Sequence, residues 1–203
     1  MGCDIHSIGQ VRKDGKNWMT VIARPGGDHR CYDSFAVMAD VRNGSGFAGC
    51  DTGAGWPVLF QPRGLPDGLQ MDESGERVPL SEPYYWSFDE KKEEPEYELW
   101  LGDHSHSWLT LTELHRIFDG FKDQEYEVHG MISEEQRRDL ENGIVPDSWC
   151  AWTNRKGYVN AKWKVPAQGS LYGLKSIIET LDKVCLENKV TPDDVRLVFG
   201  FDN

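Results

Sequence analysis

Hydrophobic and polar residues alternate at both ends of the chain, and this alternation predicts strands there. Residues 3–23 contain two strand-forming stretches, and Asp14-Gly15 between them is a two-residue turn signal. Near the other end, large apolar residues occupy every second position: Val195, Leu197, Phe199 and Phe201. The pattern therefore predicts an amino-terminal hairpin and a carboxy-terminal strand with one apolar face.

Apolar residues at helical spacing predict four helices between these ends. The helices fall within residues 32–44, 107–121, 132–143 and 170–189. Two of them carry a capping box, in which Ser or Thr is followed three residues later by Glu or Gln: Thr110 with Glu113, and Ser133 with Gln136. Residues 149–165 predict a second hairpin, which turns near residues 154–157.

These elements predict an α+β fold in a single domain of residues 1–203. An antiparallel sheet contains both terminal strands, three to four helices pack on it, and long loops rich in Gly and Pro connect them. The longest loop is an irregular insertion at about residues 45–95. A loop of this length inside a compact domain is usually functional or mobile.

The charge of the chain narrows the classes of partner. There are 34 acidic and 22 basic side chains, which gives a formal net charge of -12. This balance argues against general nucleic-acid binding and against an anionic membrane surface, because both need a basic face. It leaves room for a small anionic ligand in a local basic pocket, since net charge describes the long-range field and not one cleft.

The lack of long apolar segments and the number of cysteines indicate the compartment in which the protein acts. The sequence has no apolar run of about eighteen residues and no apolar signal-peptide core near its start. Its five cysteines are odd in number and form no CxxC pair. Free thiols in a reducing cytoplasm are the simple interpretation.

Two short polar clusters are the candidates for chemistry. Asp4 and His6 lie in the first predicted strand, and His104 and His106 are spaced in the same way. If both segments are extended, each pair shares one face. Three imidazoles and a carboxylate are a plausible ligand set for Zn²⁺ or Mn²⁺, with His6, His104 and His106 as catalytic groups. The alternative is that these side chains form hydrogen bonds with neighbouring loops.

A second interpretation needs no metal. His104 and His106 precede the helix start at Thr110, where unpaired N–H groups favour a phosphate and the imidazoles could donate hydrogen bonds or act as acid and base. Arg42 and Arg63 are candidate ligand-binding residues, because their planar guanidinium groups suit phosphate. Trp108 is a third candidate, because its ring could stack on a base. Ordinary ion pairs and core packing are the alternatives for these three residues.

Several segments resemble a family of small proteins encoded in bacteriophage genomes. They are MGCDIH at the start, YDSFAVMADVRNG, PRGLP, HSHSWLTLTEL and the final VRLVFGFDN. The resemblance runs from the first residues to the last. It implies a phage accessory protein in the cytoplasm of the bacterial host. Such proteins often counter host immunity, and several bacterial defences signal through cyclic nucleotides.

Three functions are compatible with this resemblance and with the site candidates. The first is a phosphodiesterase that hydrolyses a small cyclic nucleotide signal. The second is a sponge that binds the nucleotide without cutting it, with residues 45–95 folded over the ligand and a homo-oligomer expected. The third is an acidic interaction protein that inhibits a host protein by occupying its basic groove.

Overall fold

The computed structural model describes residues 2–27, 29–84 and 95–202, with Phe47 described by its backbone alone. The strands are β1 (Ile5–Val11), β2 (Met19–Ala23), β3 (Arg77–Tyr84), β4 (Glu96–Trp100), β5 (His104–Thr110), β6 (Glu125–Ser133), β7 (Tyr158–Pro166) and β8 (Val195–Phe201). The helices are α1 (Tyr32–Ala39), α2 (Leu111–Gly120), α3 (Glu134–Glu141), α4 (Ala167–Ser170) and α5 (Tyr172–Asn188). None of the helices in these ranges is long and apolar enough to cross a membrane.

The chain divides into two compact units, each built from several stretches of sequence. The first unit contains residues 1–2, 31–61 and 117–172. The second unit contains residues 3–30, 62–116 and 173–203. The boundary falls within α2, so that helix contributes residues to both units.

The second unit is built on a four-stranded sheet in the order β2-β1-β8-β5, in which each neighbouring pair is antiparallel. The sheet therefore contains the first and last strands of the chain, and the α+β prediction with both terminal strands in one antiparallel sheet is confirmed. The predicted turn at Asp14-Gly15 joins β1 to β2. Its Asp14 carboxylate accepts hydrogen bonds from the backbone N–H groups of Lys16 and Asn17.

Strand β8 differs from the prediction of one apolar face, because all seven of its residues are buried. On one face, Val198 and Ile8 pack in a cluster with Val78 of β3 and Leu99 of β4. On the other face, α5 covers the sheet, and its Leu181 lies so close to Gly9 that a side chain at that glycine would meet it. A central strand covered on both sides has no face left for solvent.

The apolar stripe predicted for the longest helix is confirmed in α5. Its buried residues include Leu174, Ile177, Ile178, Leu181 and Val184. The two predicted capping boxes are also present. The Thr110 hydroxyl accepts from the Glu113 N–H while Glu113 accepts from the Thr110 N–H, and Ser133 and Gln136 form the same reciprocal pair. The helix predicted within 107–121 begins only at Leu111, because residues up to Thr110 belong to β5.

The prediction of a second hairpin within residues 149–165 is wrong, because the strands of the first unit pair differently. Strand β7 pairs antiparallel with β6, which the sequence reading left unassigned, over their whole lengths. Residues 149–153 form no named strand and contribute a single bridge between Cys150 and Met131. The nearest turn signal, at residues 154–157, misled the prediction, because α3 lies between the two strands that actually pair.

The segment at 45–95 is not uniformly irregular. It contains β3, which pairs with β4 as a separate two-stranded sheet. Within this segment, residues 45–61 belong to the first unit and residues 62–84 belong to the second. Residues 85–94, which formed part of the predicted insertion, lie outside the described residues.

The packing of α5 on the sheet gives a stability prediction. Leu181→Ala removes a fully buried side chain and should lower the free energy of unfolding by about 2–5 kcal/mol. Leu186→Ala is a matched control on the same helix, because Leu186 is 79% exposed, and it should change stability by less than about 0.5 kcal/mol. Urea unfolding of both variants measures the difference, and equal losses would contradict this packing.

Candidate functional site

His6 lies in β1 and is only 6% exposed. Its Nδ1 is 3.4 Å from Nη2 of Arg24, which can donate a long hydrogen bond to it. Its Nε2 is 3.2 Å from Oδ2 of Asp202, an ion-pair distance that lacks hydrogen-bond alignment. The imidazole also contacts the Trp100 ring, with centroids 5.0 Å apart. Both ring nitrogens therefore face charged neighbours, and this arrangement favours the tautomer with its proton on Nε2.

Asp4 immediately precedes β1 and is engaged by a single guanidinium group. Nε of Arg30 donates to Oδ1 at 2.6 Å, and Nη2 donates to Oδ2 at 2.8 Å. This bidentate pair holds the pKa of the Asp4 carboxyl below its usual range, with the Arg30 hydrogen bond as the largest cause. The Asp4 backbone N–H donates to Asp202 at 2.9 Å. Asp4 thus fastens the start of β1 to the residue that follows β8.

The two histidines of β5 lie on opposite faces of the sheet, so the prediction that they share a face is wrong. His104 is directly opposite Phe201 and stacks on it, with ring centroids 6.2 Å apart. His106 lies where a side chain of Gly200 would stand, 2.5 Å from the position of the missing Cβ. The register between β5 and β8 shifts between His104 and Ser107. This irregularity breaks the alternation that the HxH spacing assumed.

Gly200 is the point where the two predicted clusters approach each other. It pairs with His6 of β1, and residues directly opposite in an antiparallel pair project to the same face. His6 and His106 therefore share one face and flank Gly200, with β8 between their strands. Nε2 of His106 is 3.0 Å from the Gly102 carbonyl oxygen, to which it can donate. The amino terminus and β5 are thus in one sheet, as the site hypothesis required.

These positions do not assemble the predicted metal ligands. His104 is on the face opposite His106, and the Asp4 carboxylate is held by Arg30. Among the described residues, no three His, Cys, Asp or Glu side chains are arranged to hold a metal ion. The Zn²⁺ or Mn²⁺ site predicted from Asp4, His6, His104 and His106 therefore has no assembled ligand set here.

Arg63 and Trp108 bind each other and other residues of their own unit. Nη1 and Nη2 of Arg63 donate to the Glu113 carboxylate at 3.0 and 2.6 Å. The Arg63 guanidinium also lies 4.7 Å from the centre of the Trp108 ring. Arg196 lies 5.6 Å from that ring. The cation and the ring that the sequence assigned to a phosphate and a base thus make those contacts within the protein.

The cation–π contacts of Arg63, Trp108 and Arg196 continue on the far side of Arg196. Arg196 also lies 4.1 Å from the centre of the Trp18 ring, and Arg12 lies 4.8 Å from the same ring. Three guanidinium groups and two indoles therefore alternate in one row. Such cation–π contacts stabilise by about 0.5–2 kcal/mol each. The row extends from the β1–β2 hairpin to the loop that carries Arg63.

The start of α2 is already supplied with an anion of its own. Glu113 accepts from the Thr110 N–H at 3.0 Å and from Arg63, and these contacts help to lower the pKa of its carboxyl despite the opposing effect of burial. A phosphate at this position would have to displace a carboxylate. Arg42, the remaining predicted phosphate ligand, lies in the first unit, with its guanidinium 5.9 Å from the Tyr32 ring.

The sequence reading missed a cleft of about 740 Å³ in the second unit. One side is the β1–β2 hairpin, and the other consists of residues 67–70 and 78–81. Its lining includes Lys16, Trp18, Thr20, Gln10, Gln70 and Ser81. Gln10 donates to the Thr20 hydroxyl at 3.2 Å and accepts from Nε of Arg196 at 2.9 Å. The buried Arg196 guanidinium therefore lies directly behind the polar floor of the cleft.

A smaller cavity, of about 340 Å³, lies in the first unit. It contains two exposed tryptophans, Trp149 and Trp152, together with Arg155 and Tyr158. The WCAW spacing was visible in the sequence, but the wrong hairpin assigned these residues to a strand. Their exposure is a property of the tertiary structure that the spacing could not reveal.

His129 forms a third cluster, also in the first unit. Its Nδ1 is 2.8 Å from Asp51 and its Nε2 is 2.8 Å from Glu127, while its backbone N–H donates to the Thr52 carbonyl. The pKa of His129 is raised, chiefly by the hydrogen bond with Asp51 and then by that with Glu127, and Lys162 on the paired strand opposes the shift. His129 thus ties residues 51–52 to β6 through its ring and its backbone N–H.

The close approach at Gly200 predicts a stability loss. Gly200→Ala adds a methyl group against the Leu101 carbonyl oxygen and the His106 ring, which should lower the free energy of unfolding by about 1–3 kcal/mol. Gly120→Ala is the matched control, because a methyl group there meets nothing within 4 Å. Chemical denaturation compares the two variants, and a neutral Gly200→Ala would show that His106 does not pack over this residue.

The His129 cluster predicts a pH-dependent contribution to stability. Because the pKa of His129 is raised in the folded protein, its contribution is complete below the ordinary histidine pKa and is lost as the pH rises through the raised value. The pKa values of Asp51 and Glu127 are lowered, so their contribution is present above their ordinary values and is lost as the pH falls through the lowered ones. His129→Gln should therefore destabilise more at about pH 5.5 than at about pH 8.5. Urea unfolding at both pH values measures this, and an equal loss would contradict it.

No protein-family model, curated protein or solved structure matches the chain. The resemblance to phage accessory proteins consequently remains a prediction.

Proposed function

We propose that the protein binds a small phosphate-bearing nucleotide in the cleft beside the β1–β2 hairpin and holds it without cleaving it. The observation that carries this proposal is the buried positive charge of Arg196, whose guanidinium group donates to Gln10 at the cleft floor. Arg196 is 4% exposed, and it makes no ion pair with a carboxylate anywhere in residues 2–27, 29–84 or 95–202. Arg196 does not itself line the cleft, so its uncompensated charge acts on an anion there through Gln10, the lining residue to which its guanidinium group donates.

The electrostatic argument rests on the cost of burying a cation. Burial and the nearby charge of Arg12 lower the pKa of Arg196 to about 10, so the group stays protonated at neutral pH. A buried charge without an opposite charge is unfavourable. The rings of Trp18 and Trp108 and the Gln10 amide compensate only part of that cost. A bound phosphate near the cleft floor would supply the missing negative charge.

The lining of the cleft suits the rest of a nucleotide. Its volume of about 740 Å³ is within the usual range of small-ligand sites, about 300–1,000 Å³. Lys16 provides an exposed ammonium group, and the Gln70 amide and the Ser81 hydroxyl provide donors and acceptors for base and sugar. Asp67 on the rim favours a hydroxyl or amino group at its side of the ligand.

Binding without cleavage follows from how the predicted catalytic groups are engaged. Both nitrogens of His6 face charged partners, and His106 can donate from Nε2 to a backbone carbonyl. Neither imidazole is among the residues that line the cleft. Residues 67–70 and 78–81, from the segment predicted to fold over a ligand, form one wall of it. These features support the sponge hypothesis, with the phage and host-cytoplasm setting that the resemblance implies.

A second candidate function is the phosphodiesterase. The observation that favours it is that His6 and His106 lie on one face of the sheet and flank Gly200. Two imidazoles on one face can act as general acid and base without a metal. On this hypothesis His106→Ala abolishes turnover of a cyclic nucleotide and leaves the fold intact.

Incubation with a panel of cyclic mononucleotides and dinucleotides separates these candidates. After incubation, chromatography is applied to the supernatant and to the heat-denatured protein. We expect one nucleotide to be depleted from the supernatant and released intact by denaturation. Conversion to a linear product would overturn the proposal in favour of the phosphodiesterase. Depletion of no nucleotide, together with salt-sensitive capture of a basic host protein, would overturn it in favour of the acidic interaction protein.

Of Lys13 and Lys16 in the β1–β2 hairpin, we expect Lys16 to bind the ligand, because it lines the cleft and Lys13 does not. Lys16→Ala should weaken nucleotide binding by about tenfold or more, because it removes a cation from the cleft wall. Lys13→Ala is the matched control, since Lys13 is an exposed residue of the same hairpin outside the cleft lining. Isothermal titration calorimetry measures both affinities. Equal affinities of the two variants would show that the ligand binds elsewhere.

A further inference from the structure

The cavity of the first unit is aromatic, in contrast to the polar cleft of the second. Its volume is about 340 Å³. The lining residues include Gln136, Ser148, Trp149, Trp152, Arg155 and Tyr158. Aromatic rings and one guanidinium group thus surround a space large enough for a single planar ring system with a substituent.

The two indoles are presented in different ways. Trp149 is 42% exposed and is set in place by its neighbours. Its ring packs on Gly130, where any side chain would clash with it, and it meets the edge of Trp163, with centroids 5.9 Å apart. Trp152 is 64% exposed, so most of its surface faces solvent. Two exposed indoles at one cavity form a larger apolar surface than a single exposed side chain, and such a surface suits a planar ligand.

The charge at the cavity is positive. Arg155 makes no ion pair with any residue in the described part of the chain, and its backbone N–H donates to the Thr153 hydroxyl. In a chain with a net charge of -12, a guanidinium left without a carboxylate is available for an anion from outside.

The polar residues of the cavity are held in fixed positions. Gln136 accepts from the Ser133 N–H through the capping box of α3, and its amide donates to the Ser148 carbonyl at 3.0 Å. These bonds orient the wall opposite the exposed rings. A ligand therefore meets a preformed cavity, which lowers the ordering cost of binding.

We propose that this cavity binds a planar heteroaromatic ring that carries a phosphate group, the chemistry of a nucleoside monophosphate. The ring stacks on Trp152 between Trp149 and Tyr158, and the phosphate pairs with Arg155. Stacking of one base on an aromatic side chain contributes about 1–3 kcal/mol. The site lies within the first unit and is independent of the cleft proposed above, so it does not require that the cleft bind a ligand.

Three probes separate the ring from the phosphate. Adenosine 5′-monophosphate, adenosine and ribose 5-phosphate are titrated into the full chain by calorimetry. Lys16→Ala is used as the background so that any binding at the cleft of the second unit is weakened and a remaining site is resolved from it. We expect the monophosphate to bind more tightly than either fragment. No detectable monophosphate binding, or equal binding of ribose 5-phosphate alone, would overturn the proposal.

Variants then locate the binding. Trp152→Ala should weaken binding of both adenosine and its monophosphate by about tenfold, while Trp152→Phe keeps most of it. Arg155→Ala should weaken only the monophosphate by about tenfold. Lys156→Ala is the matched control in the same turn, outside the cavity lining. Unchanged monophosphate affinity in both Trp152→Ala and Arg155→Ala would overturn the proposal, as would displacement of the nucleotide by a proline-rich peptide that binds more tightly at the same rings.

Discussion

The antiparallel pairing of β1 with β8 is the contact on which the second unit depends. It joins the two ends of the chain, from Ile5 opposite Phe201 to Val11 opposite Val195. The loop closed in this way is nearly the whole chain, so its formation costs more entropy than any local hairpin. Burial of β8 on both faces offsets that cost. Every residue of the predicted site that lies in this unit takes its position from that central strand.

The same strand explains why residues suited to a ligand are used within the protein. Arg196 of β8 lies between Trp18 and Trp108, and the row is extended by Arg12 and Arg63. Cation–π contacts and bidentate carboxylate pairs are also what a nucleotide site would use. The sequence shows the residue types but not whether their partner is a ligand or another side chain. Only the tertiary structure distinguishes the two, and here it assigns Arg63 and Trp108 to each other.

The fold was predictable where the signal was local or repeated. The capping box at Thr110, the apolar stripe of α5 and the turn at Asp14-Gly15 each depend on residues a few positions apart, and all three are present. The pairing of β6 with β7 was not predictable by the same rules, because α3 separates the strands. The faces of His104 and His106 were missed for a related reason. A bulge inserts one residue, and no sequence pattern marked it.

The contrast between paired and unpaired arginines connects both binding proposals. Acidic side chains outnumber basic ones, 34 to 22, so a carboxylate partner is common, and Arg12, Arg30 and Arg63 each have one. Within the described residues, Arg155 and Arg196 have none, and neither do Arg77 and Arg138. Arg155 is distinguished by lining a cavity together with Trp149 and Trp152, and Arg196 by its contact with Trp18, which lines the cleft. Neutralising each of them internally would have required one further acidic residue beside it, in a chain rich in such residues. A cation without a carboxylate, beside tryptophan at a cavity, is the combination that an anionic aromatic ligand requires, and it is the reason to look for that ligand at these two cavities and not at the histidines.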